Sequence, residues 1–534
     1  MKINQAILIL VTCMLLGLTT ARAAVYRFAL PRPDFPVMSA FVTDPAGLPY
    51  LAKITTAGGI LSIELDPPIR IALHFLCPAG PAGTLMVTAD NGGVGYLPQE
   101  PAYNLLEEVL ASATGKRITG LSTETMLTRL GDELLRREDR TLEQARAAIR
   151  QRQAAPHRVR IVLDGKPVAH QAVRFEQETM VPLLGFGPEF YEQTKHRQHT
   201  QPLFDYVTLP FFLPGLCFLG RDTYNWKPIE DSARWCKDNG LETKGDPLVW
   251  FFDSYHFDWL TAMSYPELKV YIHDHVFKNV AHFRGLINRW NVINEAHGWA
   301  NSLKLSSEQL LEITDIAVRA AKEANPTCQV VVNSCLPWGD YVQGQDDPNR
   351  LTPFTYYQQL LSRRCPFDVI GLQLYDGYSA PFPHRDLASM SEILDRFGRF
   401  GKEIQVTEFT IPSAGSQFGA WRGREWTPAS QAQYATGFYE VACSKPFVKA
   451  ITWWFVNDVP KSDWQYLGLL TADNQPKPVL KALIDLKRSW LTSGSGTTDQ
   501  DGWLELHGLA GRYRIVWRDA GGTSRAVKVQ VDEP

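Results

Sequence analysis

Two glutamates draw attention because each closes an apolar, strand-like run and is followed at once by a break in pattern. Glu295 ends Ile287-Asn288-Arg289-Trp290-Asn291-Val292-Ile293-Asn294-Glu295, and Glu408 ends Ile404-Gln405-Val406-Thr407-Glu408. Parallel barrels gather their chemistry at the C-terminal ends of strands, so a carboxylate there is placed to act on a ligand. Two carboxyls facing each other at roughly 5–5.5 Å can divide the cleavage of a glycosidic bond with retention. One, protonated, releases the leaving oxygen; the other, ionised, attacks the anomeric carbon. Burial and the neighbouring like charge would raise the acid's pKa toward a neutral working pH. The competing reading is that each glutamate caps a helix or pairs with a rim cation. Two of them, each inside an apolar run at a strand end, favour the paired role.

The elements that must position them form an alternating series. Strand-like runs occur at Val181 to Gly187, Asp205 to Phe212, Glu242 to Trp250, Ile287 to Asn294, Cys328 to Asn333, Phe367 to Leu374, Glu403 to Glu408 and Ala450 to Phe455. Amphipathic helical stretches lie between them, among them Ile229 to Asn239, Tyr265 to Phe283, Ser307 to Ala324 and Ser430 to Cys443. This predicts an α/β chain whose residues 176–490 form a (β/α)8 TIM barrel. An open doubly wound sheet also alternates, but no glycine-rich nucleotide loop follows the first strand. In an eight-strand barrel, strands four and seven lie on opposite sides of the mouth, so their terminal glutamates can face each other.

The flanks differ. Residues 1–24 combine Lys2, an apolar run from Ile7 to Leu18 and the small-x-small site Ala21-Arg22-Ala23, which predicts a cleaved signal peptide and a secreted or periplasmic product. Residues 25–100 carry short β-rich runs and read as a β-sandwich-like accessory module. Residues 101–175 read as a helical connector (Tyr103 to Ala111, Thr123 to Gln153) and a hairpin leading into the barrel, with the charged run 136–140 as a solvated face. Residues 491–534 read as a flexible linker, Ser493 to Thr498, followed by a small β-rich tail. The net charge of −3 and the lack of a Lys/Arg run give no support for a nucleic-acid partner. No later segment is long and apolar enough to span a membrane. Outside the signal the cysteines lack CxxC spacing; Cys328 with Cys335 is a candidate disulfide, but buried free thiols are the preferred reading.

The residues around the two glutamates carry a family resemblance. Trp290-Asn291-Val292-Ile293-Asn294-Glu295 resembles the W-D-V-V-N-E acid/base motif of family 10 glycoside hydrolases, the xylanase family, and Val406-Thr407-Glu408-Phe409 resembles its I-T-E-L nucleophile motif. Asp368-Val369-Ile370-Gly371-Leu372-Gln373 resembles its D-x-I-G-L-Q segment, and Lys244-Gly245-Asp246-Pro247-Leu248-Val249-Trp250 its R-G-H-T-L-V-W segment. Trp453-Trp454 with Asp458 and Trp464 is similar to W-G-x-x-D-x-x-S-W. The resemblance, in order and spacing across residues 175 to 490, implies an endo-1,4-β-xylanase-like hydrolase with Glu295 as general acid/base and Glu408 as nucleophile. It implies that Asn294 donates to the 2-OH of the sugar at the point of cleavage (−1), that Gln373 holds Glu408, and that Trp250, Trp454 and Trp464 wall that sugar. His297 is a candidate for the aglycone side or a rim histidine without a role.

The departures bear on substrate. The family's T-P-E-N-x-M-K-W brings an Asn and a Lys to the −2 sugar, whereas here Thr208-Leu209-Pro210-Phe211-Phe212-Leu213-Pro214 has neither. Asp246 stands for a histidine and cannot donate while ionised. Phe251 follows Trp250 where the family often has His. Tyr375 replaces the histidine near the nucleophile, and its hydroxyl can still donate to a carboxylate. The expected partner is a β-1,4-linked xylan-type polysaccharide or its oligosaccharides, with weaker demand at −2. Such chemistry needs two carboxylates and water, with no cofactor and no metal. Two alternatives stay open: hydrolysis of another β-glycan or a glycosylated aromatic, and a non-catalytic carbohydrate-binding barrel.

Overall fold

The computed structural model describes residues 121–533 apart from 213–217, 254–257, 340–348, 380–381, 416–417, 424 and 463, and in the N-terminal region 24–30, 37–43, 49–50, 53–65, 69–76, 82–89 and 103–104. The predicted signal segment up to residue 23 and the expected helix residues 105–111 lie outside these. The N-terminal strands form two four-stranded sheets. Ala24–Ala29, Lys53–Ala57, Ile60–Leu65 and Tyr103–Asn104 make one; Val37–Thr43, Pro49–Tyr50, Ile69–Leu76 and Ala82–Ala89 make the other. Tyr103–Asn104, expected to open a helix, instead pair in parallel with Phe28 and Ala29.

Barrel strands one to eight are Leu183–Pro188, Tyr206–Pro210, Glu242–Asp246, Arg289–Asn294, Gln329–Ser334, Val369–Tyr375, Glu403–Thr410 and Val448–Trp453. All pair in parallel in sequence order, and strand one closes the ring against strand eight, with Leu183 opposite Ala450 and Phe186 opposite Trp453. Strand three is interrupted: Pro247 has no N–H for the ladder, and pairing with strand four resumes at Val249–Trp250. The strands are buried almost throughout, as parallel strands covered by helices must be. Part of the barrel interior is polar and hydrogen-bonded. Near the N-terminal end, Arg289 Nε donates to Gln329 Oε1 (2.8 Å), Gln405 Nε2 to the same oxygen (3.1 Å), and Gln329 Nε2 to Glu403 Oε2 (2.6 Å).

The Thr123–Gln153 helix starts at an N-cap, Ser122, whose side chain accepts from Thr125 N, and buries Met126, Leu130, Leu134, Glu138, Leu142, Ala145 and Ile149. That spacing of threes and fours is one helix face, here laid against the barrel helices Leu387–Gly398 and Pro428–Cys443. Glu138 occupies this face, so the charged run is not simply solvated as expected. Its carboxylate accepts from Leu387 N (2.9 Å), Trp421 Nε1 (2.8 Å) and Arg422 Nε (2.7 Å), placing an anion at the start of the Leu387–Gly398 helix. Arg137 donates to Glu392 on the same helix, while Arg136 and Arg140 reach Glu133 at the surface.

The C-terminal strands correct another expectation. Ser493–Thr497, read as a flexible linker, is a strand paired antiparallel with Ala172–Gln177, which pairs in turn with Gly511–Arg518 and through it Ser524–Val531. Pro156–Arg160 pairs with Trp503–His507. The glycines are there for space: a β-carbon on Gly494 would come within 2.6 Å of the Phe175 ring. The hairpin before the barrel and the tail after it therefore share one hydrophobic core, with Val159, Ile161, Val173 and Phe175 against Leu504, Leu506, Tyr513 and Ile515. Cys328 and Cys335 are separate, buried free thiols.

Glu138→Ala leaves the buried Leu387 and Trp421 N–H donors without their acceptor and removes one partner of Arg422, and is expected to cost about 2–4 kcal/mol. Denaturant unfolding of the full chain checks this. A loss within error of zero would mean that the helix contributes no docking energy through Glu138.

Candidate active site

Barrel strand four delivers Asn294 and Glu295, strand five Asn333, strand six Gln373 and Tyr375, and strand seven Glu408. The Glu295 backbone has φ 56°, a left-handed conformation that costs a non-glycine residue about 1–2 kcal/mol. Its N–H still donates to Asn333 O at 2.9 Å, so the turn begins while the residue remains tied to strand five.

Nine of the residues singled out in the sequence line one cleft of about 770 Å³: Asp246, Trp250, Asn294, Glu295, Gln373, Tyr375, Glu408, Trp454 and Trp464. The two glutamates have different partners. Glu295 Oε1 accepts from Gln373 Nε2 (2.8 Å) and its Oε2 from the Trp250 indole N–H (3.1 Å). Glu408 Oε1 accepts from Asn333 Nδ2 (3.0 Å), and its Oε2 from the Tyr375 hydroxyl. Gln373 thus holds Glu295, not Glu408 as the resemblance implied. Although Gln373 is level with Glu408 across the strand pair, its amide reaches strand four.

Asn333 is the residue that sequence reasoning missed. Its Nδ2 also donates to Asn294 Oδ1 (2.7 Å), while its Oδ1 accepts from the Thr407 hydroxyl. A β-carbon on Gly371 would lie 2.7 Å from that Oδ1, so the glycine makes room for the amide. The available signal was an Asn at the polar end of Gln329-Val330-Val331-Val332-Asn333-Ser334. Asn294 Oδ1 accepts in addition from Asn291 Nδ2 (3.3 Å) and Gln373 Nε2 (3.4 Å), which identifies Nδ2 as the donor side of its amide.

Asp246 is fully buried. Its Oδ1 accepts from Asn291 Nδ2 (2.8 Å), and its Oδ2 lies 2.5 Å from Lys244 Nζ, itself without solvent exposure. Trp250 stacks on Phe252, with ring centres 5.3 Å apart, and Trp464 packs against Tyr378 and Phe455, each 4.8 Å away. His297 is not at the rim: it is fully buried, 3.6 Å from Cys335 Sγ, and burial pushes its pKa down to about 3. Trp453 is in the core, donating to Leu467 O (3.2 Å), and Asp458 braces the following loop by accepting from Lys477 Nζ (2.9 Å) and Gly468 N (2.8 Å).

Burial raises the Glu295 carboxyl to about 7, against the pull of hydrogen bonds from Gln373, Trp250 and Asn294. Burial also pushes Glu408 upward, helped by the charges of Asp246 and Glu295 and opposed by the Tyr375 hydroxyl and the Lys244 ammonium. Two carboxyls with raised affinity for protons, in one cleft and with different donors on each, can hold one proton between them near neutrality. That is the requirement for a proton donor beside an anionic nucleophile. Among the described residues no cluster of three or more His, Cys, Asp or Glu side chains could hold a metal ion.

A family model described as glycosyl hydrolase family 10 matches residues 216–486, just over half of the chain. Endo-1,4-beta-xylanase B of Neocallimastix patriciarum is 23% identical over 280 residues, covering 50% of this chain and 30% of that protein. Endo-1,4-beta-xylanase B of Thermotoga neapolitana is 28% identical over 279 residues, covering 50% and 75%. The chain thus spans less than a third of the length of the first and three quarters of the second. Among solved structures, native xylanase 10B from Thermotoga maritima covers 57% of this chain and 95% of its own, with a TM-score of 0.46 and 23% identity.

Gln373 hydrogen-bonds the charged form of Glu295, so Gln373→Leu is expected to raise the Glu295 pKa further above about 7. Titration of ¹³C-labelled glutamate carboxyls by NMR measures this. A midpoint that stays put or falls would show that the amide does not stabilise the anion.

Proposed function

The chain belongs to glycosyl hydrolase family 10, and from that membership we propose that it is a retaining, endo-1,4-β-xylanase-like hydrolase of xylan-type polysaccharide or its oligosaccharides. The observation that carries the reading is the convergence of Glu295 and Glu408 in one cleft, each held by its own hydrogen-bond donors. That two relatives are xylanases supports the choice of sugar. In this reading the shared proton rests on Glu295, because the retaining reaction needs an acid on one carboxyl and an anion on the other. Glu295 protonates the glycosidic oxygen as Glu408 attacks the anomeric carbon, and the C–O bond to the leaving sugar breaks. A glycosyl ester on Glu408 results. Glu295, now anionic, takes a proton from water; the water oxygen attacks the anomeric carbon and releases Glu408. Asn294 Nδ2 is the donor for the 2-OH of the sugar in the site, where developing positive charge strengthens the contact. The signal-like N-terminal segment fits an exported enzyme acting on extracellular glycan.

The test is release of reducing sugar or chromophore from aryl β-xyloside, aryl β-xylobioside, aryl β-cellobioside and polymeric xylan. Wild type should turn over the xylo-substrates best, Glu408→Ala none, and Glu295→Ala should be slower by about 10²–10⁴-fold, least with the best leaving group. Glu295 loses its proton as pH rises through about 7, so kcat/KM should fall above that value and its alkaline limb should vanish in Glu295→Ala. Turnover that survives in Glu408→Ala would sink the assignment. Preference for the cellobioside would retain the mechanism and replace the substrate.

A further inference from the structure

The polar groups that strand two does not bring to the cleft have a counterpart on strand one. Glu189 follows that strand directly and lines the cleft with Phe212, after strand two, and Trp454, after strand eight. Its N–H donates to Thr208 O at 3.3 Å, which ties it to strand two. On the other side Gly187 lets strand eight come close: a β-carbon there would lie 2.0 Å from Trp454 O. In an eight-strand ring, strand eight is opposite strand four. Strands eight and one therefore lie away from the acid Glu295, which in the hydrolase reading is the side of the sugar that stays on the enzyme.

Glu189 is also held in place. Its Oε2 is 2.8 Å from His196 Nε2, and His196 Nδ1 is 3.4 Å from Thr200 Oγ1. The imidazole is buried, edge-on to Phe186 at 6.3 Å. Fixing one oxygen this way orients a carboxylate whose side chain keeps 34% exposure in the cleft wall. The described residues lining the cleft include the carboxyls of Glu189, Glu295 and Glu408, with Asp246 buried in its pair with Lys244, and neither a lysine nor an arginine. A wall of this composition suits hydroxyl donors and disfavours anions.

We propose that Glu189, oriented by His196, is the specificity residue for the retained side of the substrate, accepting hydroxyls of a neutral sugar and rejecting one that bears a uronate. The inference rests on the hydrolase reading for its direction along the cleft. It concerns a residue outside the segment matched by the family model, 216–486. It also refines the expectation of weak demand beyond −1: the demand falls on one acceptor from strand one.

Binding separates this from turnover. Glu408→Gln, full chain, is titrated calorimetrically with xylose, xylobiose and a glucuronosyl-substituted xylobiose, alone and combined with Glu189→Ala or Glu189→Gln. The preference for xylobiose over xylose is expected to fall about 10- to 100-fold with Glu189→Ala, as for loss of a charged hydrogen bond. Glu189→Gln should retain part of it through its amide oxygen, and both should bind the uronate relatively better. An unchanged preference, or no binding of any of the three sugars, overturns the assignment. Parallel turnover with Glu408 intact judges the hydrolase reading alone: binding that responds to Glu189 without any turnover keeps this inference and discards that one.

Discussion

One amide orients the reaction centre. Thr407 donates to Asn333 Oδ1, which leaves Asn333 Nδ2 to donate to both Asn294 Oδ1 and Glu408 Oε1. Turned by 180°, the amide would set its carbonyl against two acceptors and its NH₂ against a donor, in a place with little water to compensate. Side chains from strands four, five and seven are thereby in register with one another, and Gly371 on strand six provides the space. The separation of acid and nucleophile is a property of this bridge as much as of the barrel.

The bridge belongs to a wider polar interior. Tyr206 meets Thr452, Arg289 meets Gln329, and Lys244 meets Asp246 inside the ring, while Lys487 meets Asp205 at its outer edge. Buried charges are costly when unpaired, and pairing them removes most of the incentive to rearrange. A barrel filled entirely with aliphatic side chains would give the two carboxyls nothing to hold them. Here hydrogen-bonded side chains continue from within the ring to its mouth, so the glutamates are the last members of a packed series.

Much of this was legible in the residues. The eight strand positions emerge from apolar runs that end in polar groups, and their bounds differ from the structure by a few residues. The strand-three run Glu242 to Trp250 is split in the structure into Glu242–Asp246 and Val249–Trp250, with Pro247 at the break. Ser493–Thr497 has a linker's composition, and only the position of the Phe175 ring shows why glycine is needed there. Glu295 and Glu408 were legible as strand-end carboxylates. Asn333, the switch of Gln373 to Glu295 and the burial of His297 were not. Each depends on which side chain reaches across the ring, a relation between distant strands that no local pattern encodes. Glu138 was hidden for a similar reason: it stands in a charged run on an otherwise apolar helix face, and its carboxylate is buried where Leu387, Trp421 and Arg422 meet it.

Strands on both sides of the barrel share one β-structure, with Ala172–Gln177 lying between Ser493–Thr497 and Gly511–Arg518. The barrel is therefore an insertion within that structure. During synthesis the ribosome delivers Ala172–Gln177 early and its two neighbours only after the whole barrel has emerged, so this strand waits with both edges open. Completion of the sheet reports that the intervening residues have folded compactly enough to bring their ends together. The loop-closure entropy that it must overcome grows only logarithmically with the inserted length, so a folded barrel serves as a short tether. The tail is a clasp whose strands meet Ala172–Gln177 only when the two ends of the barrel lie side by side.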